Sequence, residues 1–524
     1  MVTVHREVEK KYAADAAVEL PPLVELVAGA RSEEEPGLDG VSPVAEGEPA
    51  QQRLVATYFD TADLRLATAG LTLRRRTGGD DAGWHLKVPA GTDARSEVRL
   101  PLGRSSKNVP AALRRLVWAR TSGSALQPVA EISTDRTVRR LVDATGHVVA
   151  EVADDRVVAR RLPAADGGPS GDETSWREIE VEVDAAATDL LPVVDARLRE
   201  HGLRESTSSS KLAQVLDVAS RRGVRPAKLS PKSAAGKLVL AHVREQVEQI
   251  RTQDLPVRLD APDSVHKMRV ATRRLRSALT TFKPLFTSDV VRPLRGELKW
   301  LAGELGAARD AEVMRDRVRA ALLADESADH LGPAVDAATE ELDQAYRDAH
   351  DRVLAELDGE RYRRLLTALE ELVTSPPLTG KAGAPAGKAI PKLVARSYAG
   401  VRRLVEEADA APAGAEREEL LHDARKAAKQ ARYAGESVAR VFGADAEAFA
   451  EAMEAVQEAL GEHQDSVLTR ERLRELAVHA SSTDVAFLYG RLHALQEARA
   501  PQVEEHFDAA WKAAGRKRLH RWLR

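Results

Sequence analysis

The sequence predicts an α+β protein of two parts: an antiparallel β-domain, then an all-α domain of two duplicated helical bundles. Three observations predict it. Up to about residue 220, short alternating Val, Ile and Leu runs are separated by Gly, Pro, Asp and Ser, the pattern of strands joined by turns. Beyond it, long Ala/Leu/Glu/Arg runs carry helical periodicity. Within that second part a histidine-led basic motif occurs twice, which marks a duplication. The segment SRRGVRPAKLSPKS, Ser220 to Ser233, reads as a linker. The expected division is a β-domain at 1–218, a linker at 219–233 and a helical domain at 234–524.

Composition narrows the function. The net charge of −4 is the balance of 78 basic and 82 acidic side chains, so no overall basic field draws in a polyanion. Any anion must be held by local clusters. Aromatic residues are only 4%, which disfavours base stacking and nucleic acid as a partner. The absence of cysteine excludes disulfides, thiolate zinc sites and cysteine nucleophiles. Oxygen-liganded metals stay open. No stretch reaches the ~18 apolar residues of a membrane span. The first residues, charged from His5 onward, lack an apolar signal core. A cytoplasmic protein without a membrane partner is expected.

In a strand, alternate side chains share a face. In VHREVEKKY, Glu7, Glu9 and Lys11 share one. The same spacing groups Arg74 with Arg76, His85 with Lys87, and Arg95 with Glu97 and Arg99. It also groups Arg136 with Arg140, Glu151 with Asp155, and Glu178 with Glu180 and Glu182. The opposite faces are apolar and would pack under helices such as the run Pro110–Arg120. One such strand is an ordinary solvated face. Seven in one domain, carrying both signs, make a charged lumen if the sheet closes. Arg and Lys in a lumen suit a chain of phosphates. Clustered Glu beside phosphate requires a cation between them, and hard oxygen ligands point to Mg²⁺ or Mn²⁺.

The ordered set of EVEKK, TYFDTADLRL, LTLRRR, HLKVP, Arg95-x-Glu97, TDRTVRRL, EVADD, EIEVEVD and Ser210-Lys211 resembles the CYTH superfamily, the triphosphate tunnel metalloenzymes, over residues 1 to 218. The resemblance implies an eight-stranded closed tunnel with inorganic triphosphatase, thiamine triphosphatase or class IV adenylyl cyclase activity. It implies triphosphate binding by Arg74, Arg76, Lys87, Arg95, Arg136 and Lys211. It implies divalent metal at Glu7, Glu9, Glu178 and Glu180. Glu7, Glu9 and Lys11 would serve catalysis, with Lys11 beside the reacting phosphate. Glu97, Glu151, Asp155 and Glu182 stand either as metal-side ligands or as charge-balancing partners of the arginines.

The helical half carries HKMRVATRRLR, with His266, Arg269, Arg273 and Arg276, and HDARKAAKQAR, with His422, Arg425, Lys429 and Arg432. Each set spans an arc of roughly 80° on one helix face. Downstream, LGAARD at Leu305 to Asp310 is matched by LGEHQD at Leu460 to Asp465. A basic stripe is usually a solvated face with acidic partners at i,i+4. Here the flanking residues are mostly Ala, Val, Met and Leu, and the stripe recurs with its histidine. Two such faces brought together are costly unless a polyanion lies between them. Asp310 and Asp465 are expected to anchor the basic cluster rather than touch ligand.

This half resembles the CHAD domain, the conserved-histidine α-helical domain, over residues 231 to 524. The resemblance implies polyphosphate binding at His266, Arg269, Arg273, Arg276, His422, Arg425, Lys429 and Arg432. Arg274, Lys299, Arg309, Arg396 and Lys426 are further basic candidates. The leading expectation is therefore a metal-dependent triphosphatase whose helical half holds polyphosphate, with association to polyphosphate granules. The alternatives are a non-catalytic polyphosphate-binding protein and an adenylyl cyclase.

Overall fold

In the computed structural model the chain separates into two compact units, Met1–Pro226 and Ala227–Arg524. Residues 3–27, 45–89, 94–103, 108–163, 171–184, 187–208, 210–216, 228–323, 332–412, 414–497 and 503–524 are described. Most of the expected linker lies outside them.

The first unit is an antiparallel sheet of β1 (Thr3–Ala13), β2 (Ala45–Glu46), β3 (Ala50–Asp60), β4 (Thr72–Thr77), β5 (Gly83–Pro89), β6 (Ala94–Pro101), β7 (Gln127–Val142), β8 (Val148–Arg161), β9 (Thr174–Val183) and β10 (Arg204–Glu205). Eight strands form a ring in the order β1-β6-β5-β4-β3-β7-β8-β9 and back to β1. The ring closes because β1 serves two neighbours. Its first half, Thr3–Val8, pairs with β6, and its second half, Val8–Ala13, pairs with β9. The short strands β2 and β10 add onto β7 and β1. The β4–β5 turn needs glycine. Gly78 has φ +81°, and a Cβ there would stand 2.0 Å from the Arg53 carbonyl oxygen.

The outward side chains of β9, Ile179, Val181 and Val183, pack with Leu190, Leu191, Val194 and Leu198 of helix α1 (Leu190–Glu200). The run expected as one helix at Pro110–Arg120 is two short ones, Ala111–Leu116 and Trp118–Thr121. The inward face is not charged along its whole length. At one end Ala56, Ala130, Ile132, Val157 and Ala159 cluster with Leu212 and Leu216 of helix α2 (Lys211–Leu216). These strand residues share a face with Arg136 and Asp155 through the paired registers. Helix α2 therefore plugs an apolar end of the lumen, and its first residue, Lys211, is carried to the ionic section.

The second unit comprises α3 (Ala235–Arg258), α4 (Ser264–Thr281), α5 (Ser288–Leu323), α6 (Gly332–Asp358), α7 (Glu360–Thr374), α8 (Ala386–Ala410), α9 (Ala415–Phe442), α10 (Ala444–Val478), α11 (Thr483–Glu497) and α12 (Val503–Ala514). The duplication is visible in the packing. Helices α3, α4 and α5 pack in sequence, as do α8, α9 and α10, and α4 meets α9. The two copies are joined at their starts. Ala235 N–H donates to the Ala384 carbonyl, and Ala386 N–H to the Ser233 carbonyl, each at 2.8 Å. Gly387 N–H donates to the Pro231 carbonyl at 2.8 Å. Residues 231–233, expected as linker, thus belong to the helical unit, because their carbonyls satisfy donors at the start of α8. Among the described residues no helix is long and apolar enough to cross a membrane.

Candidate functional site

Strand alternation brings the predicted charges onto the lumen wall. A cavity of about 450 Å³ is lined by Glu9 and Lys11 from β1, Arg74 and Arg76 from β4, and Lys87 from β5. Arg95, Glu97 and Arg99 from β6, Arg136 and Arg140 from β7, and Glu180 and Glu182 from β9 also line it, with Lys211, Asp80, Asp81 and Asp184. Glu151 faces the cavity from β8. Glu7 lies in β1, its backbone opposite Arg95, but its side chain is outside the described residues.

The acidic side is sharply defined. Oxygen atoms of Asp155, Glu178 and Glu180 lie within 4.8 Å of one another. Asp155 faces Glu178 across the β8–β9 pairing, and Glu180 is two residues further along the same face. Asp155 is fully buried and Glu178 nearly so. The Trp176 indole N–H donates to Glu178 Oε2 at 2.7 Å, leaving Oε1 turned to the cluster. The Lys211 ammonium stands 2.9 Å from Asp155, 2.5 Å from Glu178 and 2.8 Å from Glu180. Lys11 donates to Glu180 at 2.6 Å and lies 3.4 Å from Glu9. Glu9 Oε1 is buried without a hydrogen bond. Three hard oxygen donors in one cluster, with a fourth carboxylate reached through Lys11, fit a divalent cation of the Mg²⁺ class. Burial alone would raise the Glu180 carboxyl, but Lys11, Lys211 and Arg136 together hold it well below the ordinary range. For Glu9 burial again opposes ionisation, and Lys11, Lys87 and Arg95 outweigh it.

The cationic side is organised by one carboxylate. Glu97 is 1% exposed and lies 3.8 Å from Arg74 and 3.9 Å from Lys87. It also accepts from Arg99 and meets His85 Nδ1 at 3.0 Å. Burial would raise its pKa, yet the His85 hydrogen bond, Lys87 and Arg74 drive it far down. Glu97 thus acts as a charge-balancing partner of the arginines. His85 Nε2 faces the Asp81 carbonyl at 2.9 Å. Two acceptors favour the imidazolium, but burial and the nearby Arg74 and Arg76 prevail and push its pKa down to about 4. Burial and the neighbouring guanidiniums of Arg74 and Arg136 also push Arg76 down, although it pairs with Asp81. Such mutual repulsion is what a multiply charged anion relieves. Arg136 is held in place by Asp155 at 2.7 Å and Glu180 at 2.5 Å, so it joins the two sides.

The TYFDT segment is mainly structural. Buried Asp60 accepts backbone N–H bonds from Thr61 at 2.7 Å and from Leu66 and Ala67 at 2.9 Å. Only Tyr58 and Leu54 of its strand reach the cavity beside Gln52, and Tyr58 accepts from Arg74 at 3.4 Å.

In the helical unit a cleft of about 330 Å³ is lined by Arg269, Arg273 and Arg276 of α4, Lys299 of α5, and Arg425, Lys426 and Lys429 of α9. Its lining residues, among those described, include no carboxylate. Burial, with Arg269, Arg425 and Arg276 nearby, pushes Arg273 down. Burial and Arg295 do the same to Arg276. Three sequence expectations are placed differently. His266 and His422 do not line the cleft. Burial and the guanidinium of Arg309 push His266 down, which opposes the protonated form in the free protein. Arg432 turns away to Glu436 and Glu454, each at 2.6 Å. Of the further basic candidates, Lys299 and Lys426 line the cleft, whereas Arg274 pairs with Glu436 at 2.8 Å and Arg309 with Glu312 at 2.7 Å. Arg269 reaches Asp310 at 3.5 Å, and the side chain of Asp465 is outside the described residues.

The repeated Leu-Gly pair has a specific job. A Cβ on Gly306 would stand 3.4 Å from an Arg269 guanidinium nitrogen, and one on Gly461 2.9 Å from Arg425. In both copies the first arginine of the stripe lies flat over a glycine of the next helix. The signal was present in the sequence as the matched glycines, but its meaning needed the packing.

Fold and site together define a triphosphate-tunnel protein with a duplicated helical unit, and the comparisons agree. Residues 43–213 match the CYTH domain and residues 241–474 the CHAD domain. The chain belongs to the family that joins a CYTH to a CHAD domain. Two relatives from Mycobacterium tuberculosis are Uncharacterized protein MT2285 (strain CDC 1551 / Oshkosh) and Uncharacterized protein Rv2226 (strain ATCC 25618 / H37Rv). Each is 39% identical over 496 residues, covering 91% of this chain and 92% of the relative. Among solved structures, PptA from Streptomyces chartreusis is similar over 53% of this chain and 100% of its own, at 21% identity and TM-score 0.44. The CHAD domain from the plant Ricinus communis is similar over 55% of this chain and 95% of its own, at 25% identity and TM-score 0.44. The putative adenylyl cyclase HpAC1 from Hippeastrum, described as having a dominant triphosphatase activity, is similar over 40% of this chain and 95% of its own, at 15% identity and TM-score 0.23.

Proposed function

We propose that the tunnel hydrolyses inorganic triphosphate, or a related organic triphosphate, and that the helical unit binds polyphosphate. The observation that carries the reading is one cavity in which clustered Arg and Lys face Glu180, the cavity-lining member of the Asp155, Glu178 and Glu180 cluster. Arg74, Arg76, Lys87 and Arg95 bind the chain of phosphates, with Arg136 fixed between the cationic and acidic sides. Asp155, Glu178 and Glu180, with Glu9 and Glu7, hold Mg²⁺ or Mn²⁺. A divalent cation there supplies charge neutralisation and polarisation of the phosphoryl group. Lys11 and Lys211 bring ammonium groups to the junction of metal and phosphate, where they stabilise charge developing on the terminal phosphoryl group. Water oxygen bonds to the terminal phosphorus as the bridging P–O bond breaks, a water proton passes to solvent, and the products are phosphate and pyrophosphate, or phosphate and the organic diphosphate. The apolar plug of Leu212 and Leu216 keeps water from entering at that end.

Polyphosphate binding rests on the seven cations of the helical cleft. It directs the protein to polyphosphate granules. The deciding assay measures phosphate release from tripolyphosphate, ATP and thiamine triphosphate with Mg²⁺ or Mn²⁺, for the wild type and for Glu9→Gln with Glu178→Gln. Metal-dependent release that the double variant loses is expected. No release from any substrate would overturn the hydrolase reading in favour of a binding protein.

A further inference from the structure

The cationic cleft between α4 and α9 is unequal at its two copies. The first copy contributes Arg269, Arg273 and Arg276, but the second contributes only Arg425 and Lys429 of its matching three. The third, Arg432, is withheld. Its guanidinium donates to Glu436 Oε1 at 2.6 Å and meets Glu454 at 2.6 Å. Arg274, from the opposite helix, donates to the other oxygen of the same Glu436 at 2.8 Å. One carboxylate therefore ties up two guanidiniums from both copies. Both also stack near Tyr433, 5.6 Å and 5.7 Å from its ring centre, and Tyr433 lines the cleft. The tied pair thus sits at the cleft's edge rather than on a remote surface.

Beyond Glu436 the all-cationic lining ends. Glu436 lines a second pocket of about 180 Å³ with His242, Ser437, Arg440 and Glu245. The His242 Nε2 atom is buried there without a hydrogen bond. Glu436 thus lies between the cleft's edge at Tyr433 and a pocket of mixed charge.

We propose that Glu436 is a charge stop: it ends the cleft, limits how many phosphates of a chain are held at once, and so sets which polyphosphate lengths are discriminated. This rests on the polyphosphate reading of the helical unit. A chain reaching the Tyr433 edge of the cleft meets a carboxylate instead of two further cations, and like charges at close range repel. Chains longer than the cleft then gain little from their extra phosphates. With Glu436 neutral, Arg274 becomes available while Arg432 still meets Glu454, and the held length grows.

The test uses the full chain and polyphosphates of defined short and long lengths, with binding followed over a salt series. Each phosphate newly neutralised adds roughly 0.7 to 0.9 to the slope of log affinity against log salt. Glu436→Gln is expected to bind long chains more tightly and to steepen the slope by about 0.7 to 0.9, the increment of one released cation. Its advantage over the wild type then shrinks roughly threefold between about 50 and 200 mM salt. The advantage should be absent for the shortest chains that fill the wild-type cleft. Adding Arg274→Gln and Arg432→Gln to Glu436→Gln should abolish the gain. Glu454→Gln releases one of the two carboxylates on Arg432 and should give a smaller gain, a second readout if Glu436→Gln folds poorly. Unchanged slopes and length dependence in the folded variants, with the wild type binding, would overturn the charge stop alone. No polyphosphate binding by the wild type would overturn the parent reading and the charge stop with it.

Discussion

At Lys211 three carboxylates share one ammonium, and the residue is 9% exposed. Removing one partner of a buried ionic cluster leaves uncompensated charge, at about 3 to 5 kcal/mol. Lys211→Met should lower stability by that order in a chelator, and Mg²⁺ should recover part of it, because a cation then meets the same oxygens. Thermal melts with and without metal check this. His85 gives a second residue-scale prediction. Its folded pKa of about 4 lies below the unfolded value of about 6.5. Between those values the unfolded chain binds more protons, so stability falls as pH drops through that window, by up to about 3 kcal/mol. Glu9, Glu97 and Glu180 are held low. Their contribution is present above the ordinary carboxylate pKa and is lost as pH falls below it. Denaturant melts of His85→Gln should lack the upper part of this acid arm and keep the lower part. Most of the lumen was legible residue by residue because the strand period is strictly two. Asp155 could be read as a metal-side ligand or a balancing charge, since only the β8–β9 register places it against Glu178.

At the scale of elements, helix α2 and the glycine cradles carry the consequences. Leu212 and Leu216 fill the apolar end of the lumen, and truncating either to Ala should cost about 2 to 5 kcal/mol. Triphosphatase activity should fall beyond what the stability loss explains, since Lys211 rides on the same helix. The cradles should separate binding from stability. Gly→Ala inside a helix adds up to about 1 kcal/mol by propensity, yet the added methyl displaces a guanidinium. Gly461→Ala, at 2.9 Å from Arg425, should weaken polyphosphate retention more than Gly306→Ala, at 3.4 Å from Arg269, with neither lowering the melting temperature. The plug was hidden in the sequence because KLAQVL reads as an ordinary amphipathic turn. The diversion of Arg432 was half visible: Glu436 stands four residues on, the usual helix partner, whereas Glu454 comes from another helix.

At the scale of the molecule, each unit has its own core, so each should unfold with its own ligand dependence. Mg²⁺ with tripolyphosphate should raise the transition of the first unit, and polyphosphate that of the second, in one calorimetric scan. A single transition shifted equally by both ligands would contradict this. The change of periodicity near residue 220 and the repeated basic motif made the two-unit organisation readable. The closure of the ring was supplied by family likeness, because pairing between β1 and β9 leaves no local trace.

That pairing also has a consequence in time. Val8 meets Val183, and Lys11 meets Glu180, so the N-terminal strand must wait while the intervening chain is made. At about 5 to 20 residues per second, synthesis of that stretch takes on the order of 10 to 35 s. Through that interval the nascent chain carries Glu9 and Lys11 on a strand with an unmatched edge. Its first half can join β6 early, because Val4 meets Val98 and His5 meets Glu97. Its second half acquires its neighbour only when β9 emerges. The acidic cluster therefore assembles late, with the arrival of the strand that brings Glu178 and Glu180, and Lys211 joins it only when helix α2 follows.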